Sequence, residues 1–276
     1  MIREMGYIYP NGTEALKCIN LNIFKGELVG IMGKNGAGKT TLIRTLNGLI
    51  RPTSGNIFIE NENINKNTIA TMAQKVGIVF QNPYHQLFSN SIEEEIKFSL
   101  KSFNLSREET QIRINQTLQE FNLEKYRKRS PLNLSGGESK KLTIASIICR
   151  DPEVLIFDEP TLGQDEKEME FFINLINHEK KKGKTIIIIT HNTEFSYNHL
   201  PRTILMTDGE IIADGPTKKI FENETLILRT YLILPQIRRF CLAMQKLGLQ
   251  NAVNLTSNDS VINYLKYYMQ NKLLST

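Results

Sequence analysis

Apolar residues come in short bursts along this chain. Leu28–Met32, Val76–Phe80, Val154–Phe157 and Ile186–Ile189 are runs of four or five, too short for helices. Such runs read as strands buried on both faces of a sheet. Thr40–Leu49 and Glu166–Lys182 follow a helical pattern and stop at Gly48 and Gly183. Ser91 to Arg150 is also helical in pattern, with apolar positions at Ile92, Ile96, Leu100, Ile112, Leu118 and Phe121. Alternating strands and helices predict a mainly parallel α/β sheet with helices on both faces. Ile2–Glu27 is different. It alternates apolar with polar residues around the turn signals Pro10-Asn11-Gly12 and Lys25-Gly26, as hairpins do. Asn56–Glu60 alternates like a strand after the Pro52–Gly55 turn. After Gly215-Pro216 the pattern is mostly helical, with a break at Pro235. We divide the chain into 1–215, with a helical subdomain at about 89–150, and a C-terminal extension, 216–276.

Composition narrows the class without naming a function. The 276 residues are 40% apolar, enough for one large core and a smaller piece. A net charge of +5 suits nucleotides or an anionic membrane surface, and is too small to point to nucleic acid. The basic runs Arg127–Arg129 and Lys180–Lys182 read as solvated faces. Cys18, Cys149 and Cys241 are too scattered for a disulfide framework or a metal site, which fits a reducing cytosol. Arg3 and Glu4 interrupt the start, so no leader peptide is expected. No run approaches the ~20 apolar residues of a membrane span.

One turn carries chemistry. Gly33-Lys34-Asn35-Gly36-Ala37-Gly38-Lys39-Thr40 follows a buried run and opens a helix. Its spacing is G-x-x-x-x-G-K-[ST], in which bare backbone N–H groups curl around phosphate oxygens at a helix N-terminus. Chance would supply about 0.01 such matches in a chain of this length. Lys39 is expected to reach the β- and γ-phosphates and the Thr40 hydroxyl to ligate Mg²⁺, with Thr41 beside it in the binding set.

Val154–Phe157 runs into Asp158 and Glu159, at the strand end where α/β sheets bind ligands. Beside a phosphate loop, Asp158 is expected to hold Mg²⁺ through water, and Glu159 to polarise an attacking water as general base. Leu134-Ser135-Gly136-Gly137-Glu138 precedes another helical stretch. A hydroxyl and two bare N–H groups at a helix start make a second anion cradle.

With these motifs in this order, residues 1–215 resemble the ABC ATPases, whose signature reads L-S-G-G-Q with L-S-G-G-E as a variant. The resemblance implies a RecA-like P-loop NTPase core with an antiparallel β subdomain and an α-helical signature subdomain. It implies a dimer in which ATP lies between the cradle of one subunit and Ser135, Gly136 and Gly137 of another. It makes Gln81 the Q-loop glutamine, sensing the γ-phosphate with the metal and linking to a partner. Thr161–Asp165 falls where the D-loop belongs, with Asp165 near the nucleotide. His191 matches the switch histidine that contacts the γ-phosphate. Tyr9 matches the aromatic that stacks on adenine, with Tyr7 a competing choice.

Gln81–Ser89 is similar to the Q-loop of energy-coupling factor transporter ATPases, which typically reads Q-N-P-D-D-Q-L-F. Tyr84 and His85 stand where acids are usual. Tyr9–Leu16, Leu234-Pro235-Gln236 and Leu242–Leu249 are similar to the same family. This resemblance implies a peripheral ATPase on the cytoplasmic face of the membrane, importing cobalt, nickel or a vitamin. Its partners would be a second ABC ATPase, identical or different, a transmembrane coupling protein and a separate substrate-binding membrane protein, with no nucleic acid. The tail would help pair the two ATPases. Glu138 for the usual Gln, and Gln164 for Leu, put turnover and partner contacts in question. The alternatives are a soluble ABC ATPase or an ATPase of another transporter class. A single cassette, with cradle and acidic strand end only about 125 residues apart and no heptad run, argues against the repair and translation classes.

Overall fold

The computed structural model describes residues 1–249, 255 and 258–273. β1 (Ile2–Ile8) and β2 (Glu14–Leu21) pair antiparallel across the Pro10–Gly12 turn, where Gly12 takes a φ of +84°. β3 (Leu28–Met32), buried at every position, runs through the glycine loop into α1 (Lys39–Leu46). β4 (Ser54–Ile59) and β5 (Glu62–Asn63) complete a four-stranded antiparallel sheet of order β2-β1-β4-β5. α2 (Ile69–Lys75) leads into β6 (Val76–Val79).

The helical stretch after Ser91 is three helices, α3 (Ile92–Ser99), α4 (Arg107–Glu120) and α5 (Gly136–Ile148). Each has a serine at its start. The side chains of Ser91, Ser106 and Ser135 accept the N–H of Glu94, Glu109 and Glu138. These caps satisfy orphan donors and set where each helix restarts.

The α/β alternation resumes with β7 (Val154–Asp158), α6 (Glu166–Lys181), β8 (Thr185–Ile189), α7 (Thr193–His199) and β9 (Arg202–Thr207). β10 (Glu210–Pro216) then folds back on β9. The sequence analysis did not single out α2, α7 or this last hairpin.

Six strands form the second sheet, in the order β10-β9-β3-β8-β7-β6. Every pairing is parallel except β10 on β9. Alternate residues of its strands serve opposite faces. Leu28, Leu155, Phe157, Ile186 and Ile188 share one apolar cluster with residues of α3, α4, α5 and α6. Val29, Ile31, Ile156, Ile187 and Ile189 pack against α1 and the antiparallel sheet. Each such burial stabilises the fold by about 1.5–3 kcal/mol, so both flanking layers are clamped to the same strands. β7, β8 and β3 are neighbours, with Asp158 and Ile31 both level with Ile189. The segments that follow these three strands therefore meet at one edge.

The extension contains α8 (Thr217–Glu222), α9 (Glu224–Arg229), α10 (Gln236–Lys246) and α11 (Asn258–Leu273). Ile220, Phe221, Ile227, Ile237 and Cys241 pack on Met32, Tyr197 and Leu205, which seats its first part on the core. Residues 250–254, 256–257 and 274–276 of the expected extension lie outside the described residues. Among the described residues, no helix is long and apolar enough to cross a membrane.

Candidate active site

The glycine loop is held open by its backbone. Gly33, Gly36 and Gly38 have φ of +151°, +81° and +97°. At Gly38 a Cβ would also stand 2.6 Å from the carbonyl oxygen of Ala15, and at Gly33 it would strike that of Met206. Inside the loop, Lys39 is 8% exposed. Its Nζ donates to the carbonyl oxygens of Gly33 at 2.7 Å and Lys34 at 2.9 Å. Burial lowers the Lys39 pKa, while Glu159 and Asp158 oppose the shift. A buried ammonium held only by carbonyls retains its charge for an anion. The loop thus fits a polyphosphate.

The loop is braced by the turn of the unexpected hairpin. Asp208 pairs with Lys34 at 2.8 Å, and the Gly209 N–H donates to the Ala37 carbonyl at 3.2 Å. The dipeptide Asp208-Gly209 is itself a strong hairpin signal in sequence. Tyr231 of the extension also reaches the loop, its ring centroid 5.2 Å from Lys34 Nζ.

The acidic pair lies at the neighbouring strand end. Asp158 is buried, and burial, then the charge of Glu159, raise its pKa to about 6 against the pull of Lys39 and Arg44. Glu159 takes a φ of +49° and donates its N–H to the Ile189 carbonyl at 2.8 Å. Such a conformation costs on the order of 1 kcal/mol and is characteristic of functional sites. Its carboxylate meets Nδ1 of His191 at 2.8 Å and accepts the His191 backbone N–H at 3.4 Å. The Asp158 carboxylate and the exposed Thr40 hydroxyl are hard oxygen donors of the kind Mg²⁺ takes.

The two tyrosines differ in their contacts. The Tyr9 hydroxyl lies 2.8 Å from Thr41 Oγ1 in α1. Tyr7 touches Tyr9 edge-on, with centroids 4.9 Å apart. Tyr9 is therefore the one bonded to the cradle helix.

Gln81 is exposed, and its side chain makes no hydrogen bond among the described residues. Gln86 holds the loop instead. Its Oε1 accepts the Phe80 N–H at 3.1 Å, and its Nε2 donates to the Ile78 carbonyl at 3.0 Å. Sequence reasoning passed over Gln86, although Gln81-Asn82-Pro83-Tyr84-His85-Gln86 contained it. It also missed Glu95, buried in α3, whose Oε2 accepts the N–H groups of Phe88 at 3.0 Å and Ser89 at 2.9 Å.

Ser135 and Glu138 cap α5 reciprocally, at 3.3 and 2.9 Å. Glu and Gln serve equally in this capping box, so Glu138 is accommodated. Asp165 caps α6 with Glu168 in the same way, at 2.8 and 3.3 Å. Any side chain on Gly137 would strike the Glu168 carboxylate. The structure therefore brings Lys39, Asp158, Glu159 and His191 together. It gathers Ser135, Gly136, Gly137 and Asp165 into a second group.

The sequence pattern of the ABC transporter family matches residues 16–162. The energy-coupling factor transporter ATP-binding protein EcfA of Methanothermobacter thermautotrophicus is 36% identical over 261 residues, 94% of this chain and 84% of the relative. The chain belongs to the energy-coupling factor ATPases of the ABC transporter family. The solved structure of cbiO1 from Clostridium perfringens, described as part of the ABC transporter complex cbiONQ, is 34% identical to this ATPase. It superposes with a TM-score of 0.73 over 90% of this chain and 96% of its own. The ATP-binding cassette MJ0796, solved as a post-hydrolysis dimer with ADP and Pi, is 28% identical. Its TM-score is 0.71 over 78% of this chain and 97% of its own. The ATPase binds and hydrolyses ATP.

Proposed function

We propose that this ATPase is one half of an ATP-sandwich dimer that powers an energy-coupling factor importer. The observation that carries this reading is the division of its polar groups into two sets. Lys39, Asp158, Glu159 and His191 form one half of a site. Ser135 and the open face of Gly136 sit with the D-loop. Two copies, or this chain and a different ATPase, complete both halves.

In the completed site the loop Gly33–Thr40 binds the phosphates of ATP. Thr40, Asp158 and Gln81 would hold Mg²⁺, which neutralises phosphate charge when bound. Glu159 orients the attacking water and accepts its proton. His191 fixes the Glu159 carboxylate and would contact the γ-phosphate. Tyr9 stacks on adenine, and Asp165 lies at the trans nucleotide.

Tyr84, Phe88 and Phe98 are exposed, and the last two rings meet edge-on at 4.7 Å. This apolar face, tied to the Q-loop through Glu95, is the docking surface for a transmembrane coupling protein at the cytoplasmic side. The extension 216–276 serves pairing of the two ATPases. The cargo, cobalt, nickel or a vitamin, is selected by a separate substrate-binding membrane protein.

Affinity purification from gently solubilised membranes, with mass spectrometry of the co-purifying proteins, tests this reading. A polytopic membrane protein is the expected partner. Recovery of soluble partners alone would overturn the transporter role and leave the ATP chemistry standing.

A further inference from the structure

Lys140 lies in α5, five residues beyond Ser135, and is 9% exposed. Its Nζ donates to the Leu162 carbonyl oxygen at 3.2 Å. That carbonyl belongs to the D-loop, between Glu159 and Asp165. The charged groups facing the ammonium are Glu168 from α6 and Glu159 from the end of β7. Taking a charge out of water is unfavourable, and an apolar side chain of similar volume is often as stabilising or more so. Packing alone therefore does not ask for a lysine here. The seam is polar on both sides. Ser139 Oγ on α5 and Gln164 Oε1 in the D-loop are buried without hydrogen-bond partners among the described residues. One turn away, Gly137 leaves room only for the Glu168 carboxylate.

We propose that Lys140 is a positioning residue for hydrolysis, fixing the D-loop carbonyl of Leu162 to the helix that presents Ser135. A subunit's own Glu159 and the Ser135 it offers its partner then move as one piece. Each active site thereby feels the geometry of the other. The inference rests on the composite-site reading above.

Burial pushes the Lys140 pKa down to about 8, against Glu168 and Glu159. The ammonium is therefore lost as pH rises through about 8, well below the range of a free lysine. Lys140→Met keeps the length of the side chain and removes donor and charge. In the full chain its kcat is expected to fall about tenfold or more, with the ATP Kd within about twofold of the parent. The thermal midpoint should not fall, because a buried charge has been removed. The parent kcat should decline as pH rises through about 8, and the variant should lack that limb. An unchanged kcat would overturn the inference. So would a kcat that falls in step with the melting point and with ATP affinity. Should the variant fold poorly, the parent profile decides, and a kcat that stays flat to high pH counts against the proposal. Full turnover per chain from parent samples that remain monomeric would remove the composite-site reading and this inference together.

Discussion

Nδ1 of His191 lies 2.8 Å from Oε1 of Glu159, and the His191 backbone N–H points at the other oxygen at 3.4 Å. The two residues leave neighbouring strands, β7 and β8, so the contact is set by the sheet. A carboxylate gripped this way is fixed in orientation. Glu159→Gln keeps the shape and removes the base. Turnover is expected to fall about 100-fold or more, with ATP affinity within about threefold. Steady-state hydrolysis and a fluorescent-nucleotide titration separate the two quantities. A variant that kept its turnover would mean that Glu159 does not act on water.

Two glycines of the same loop should differ sharply. Gly38 has both a φ of +97° and a backbone oxygen 2.6 Å from any added Cβ. Gly36 has a φ of +81° and open space. Gly36→Ala should cost the nucleotide-free protein about 1 kcal/mol of strain, whereas Gly38→Ala adds a steric clash and should cost about 3 kcal/mol. Urea unfolding of both variants measures the gap, and equal losses would contradict the loop geometry.

Asp158 carries the pH signature of the nucleotide-free protein. Its pKa, raised from 3.8 to about 6, means the folded chain holds a proton that the unfolded chain has released. The stability that Asp158 contributes is therefore fully present below the unfolded value and is lost as pH rises through about 6. At pH 7 the buried charge remains as a penalty. Asp158→Asn should raise the melting midpoint at that pH by about 3 °C, abolish Mg²⁺-dependent hydrolysis, and melt more nearly with the parent at pH 4. Scanning calorimetry at the two pH values checks the sign.

Glu95 supports the Q-loop from beneath. Its carboxylate accepts two backbone N–H groups and is 2% exposed. Glu95→Ala leaves both donors without it and should cost about 2 kcal/mol in urea unfolding. A loss near zero would show that water replaces the carboxylate.

What the sequence revealed depended on how local the cause was. The cradle was legible because glycine conformation, strand and helix lie within a dozen residues. Asp158 and Glu159 were legible because a buried strand ending in acids is a one-dimensional pattern. Lys140, Glu95 and Gln86 were not singled out. Lys140 reaches a carbonyl 22 residues away, and Glu95 bonds backbone donors that any sequence would supply. The β9–β10 hairpin announced itself only through Asp208-Gly209, whose importance lies in reaching Lys34 and Ala37 across the fold. The hydroxyl contact of Tyr9 with Thr41, 32 residues away, likewise requires the folded hairpin.

The central claim is that one chain holds only half of each hydrolysis site, and the direct test is ATP turnover per chain measured against protein concentration, with molar mass recorded on the same samples. The account predicts turnover per chain that rises with concentration as monomers become dimers and then levels off. Full turnover per chain from samples that remain monomeric throughout would contradict it.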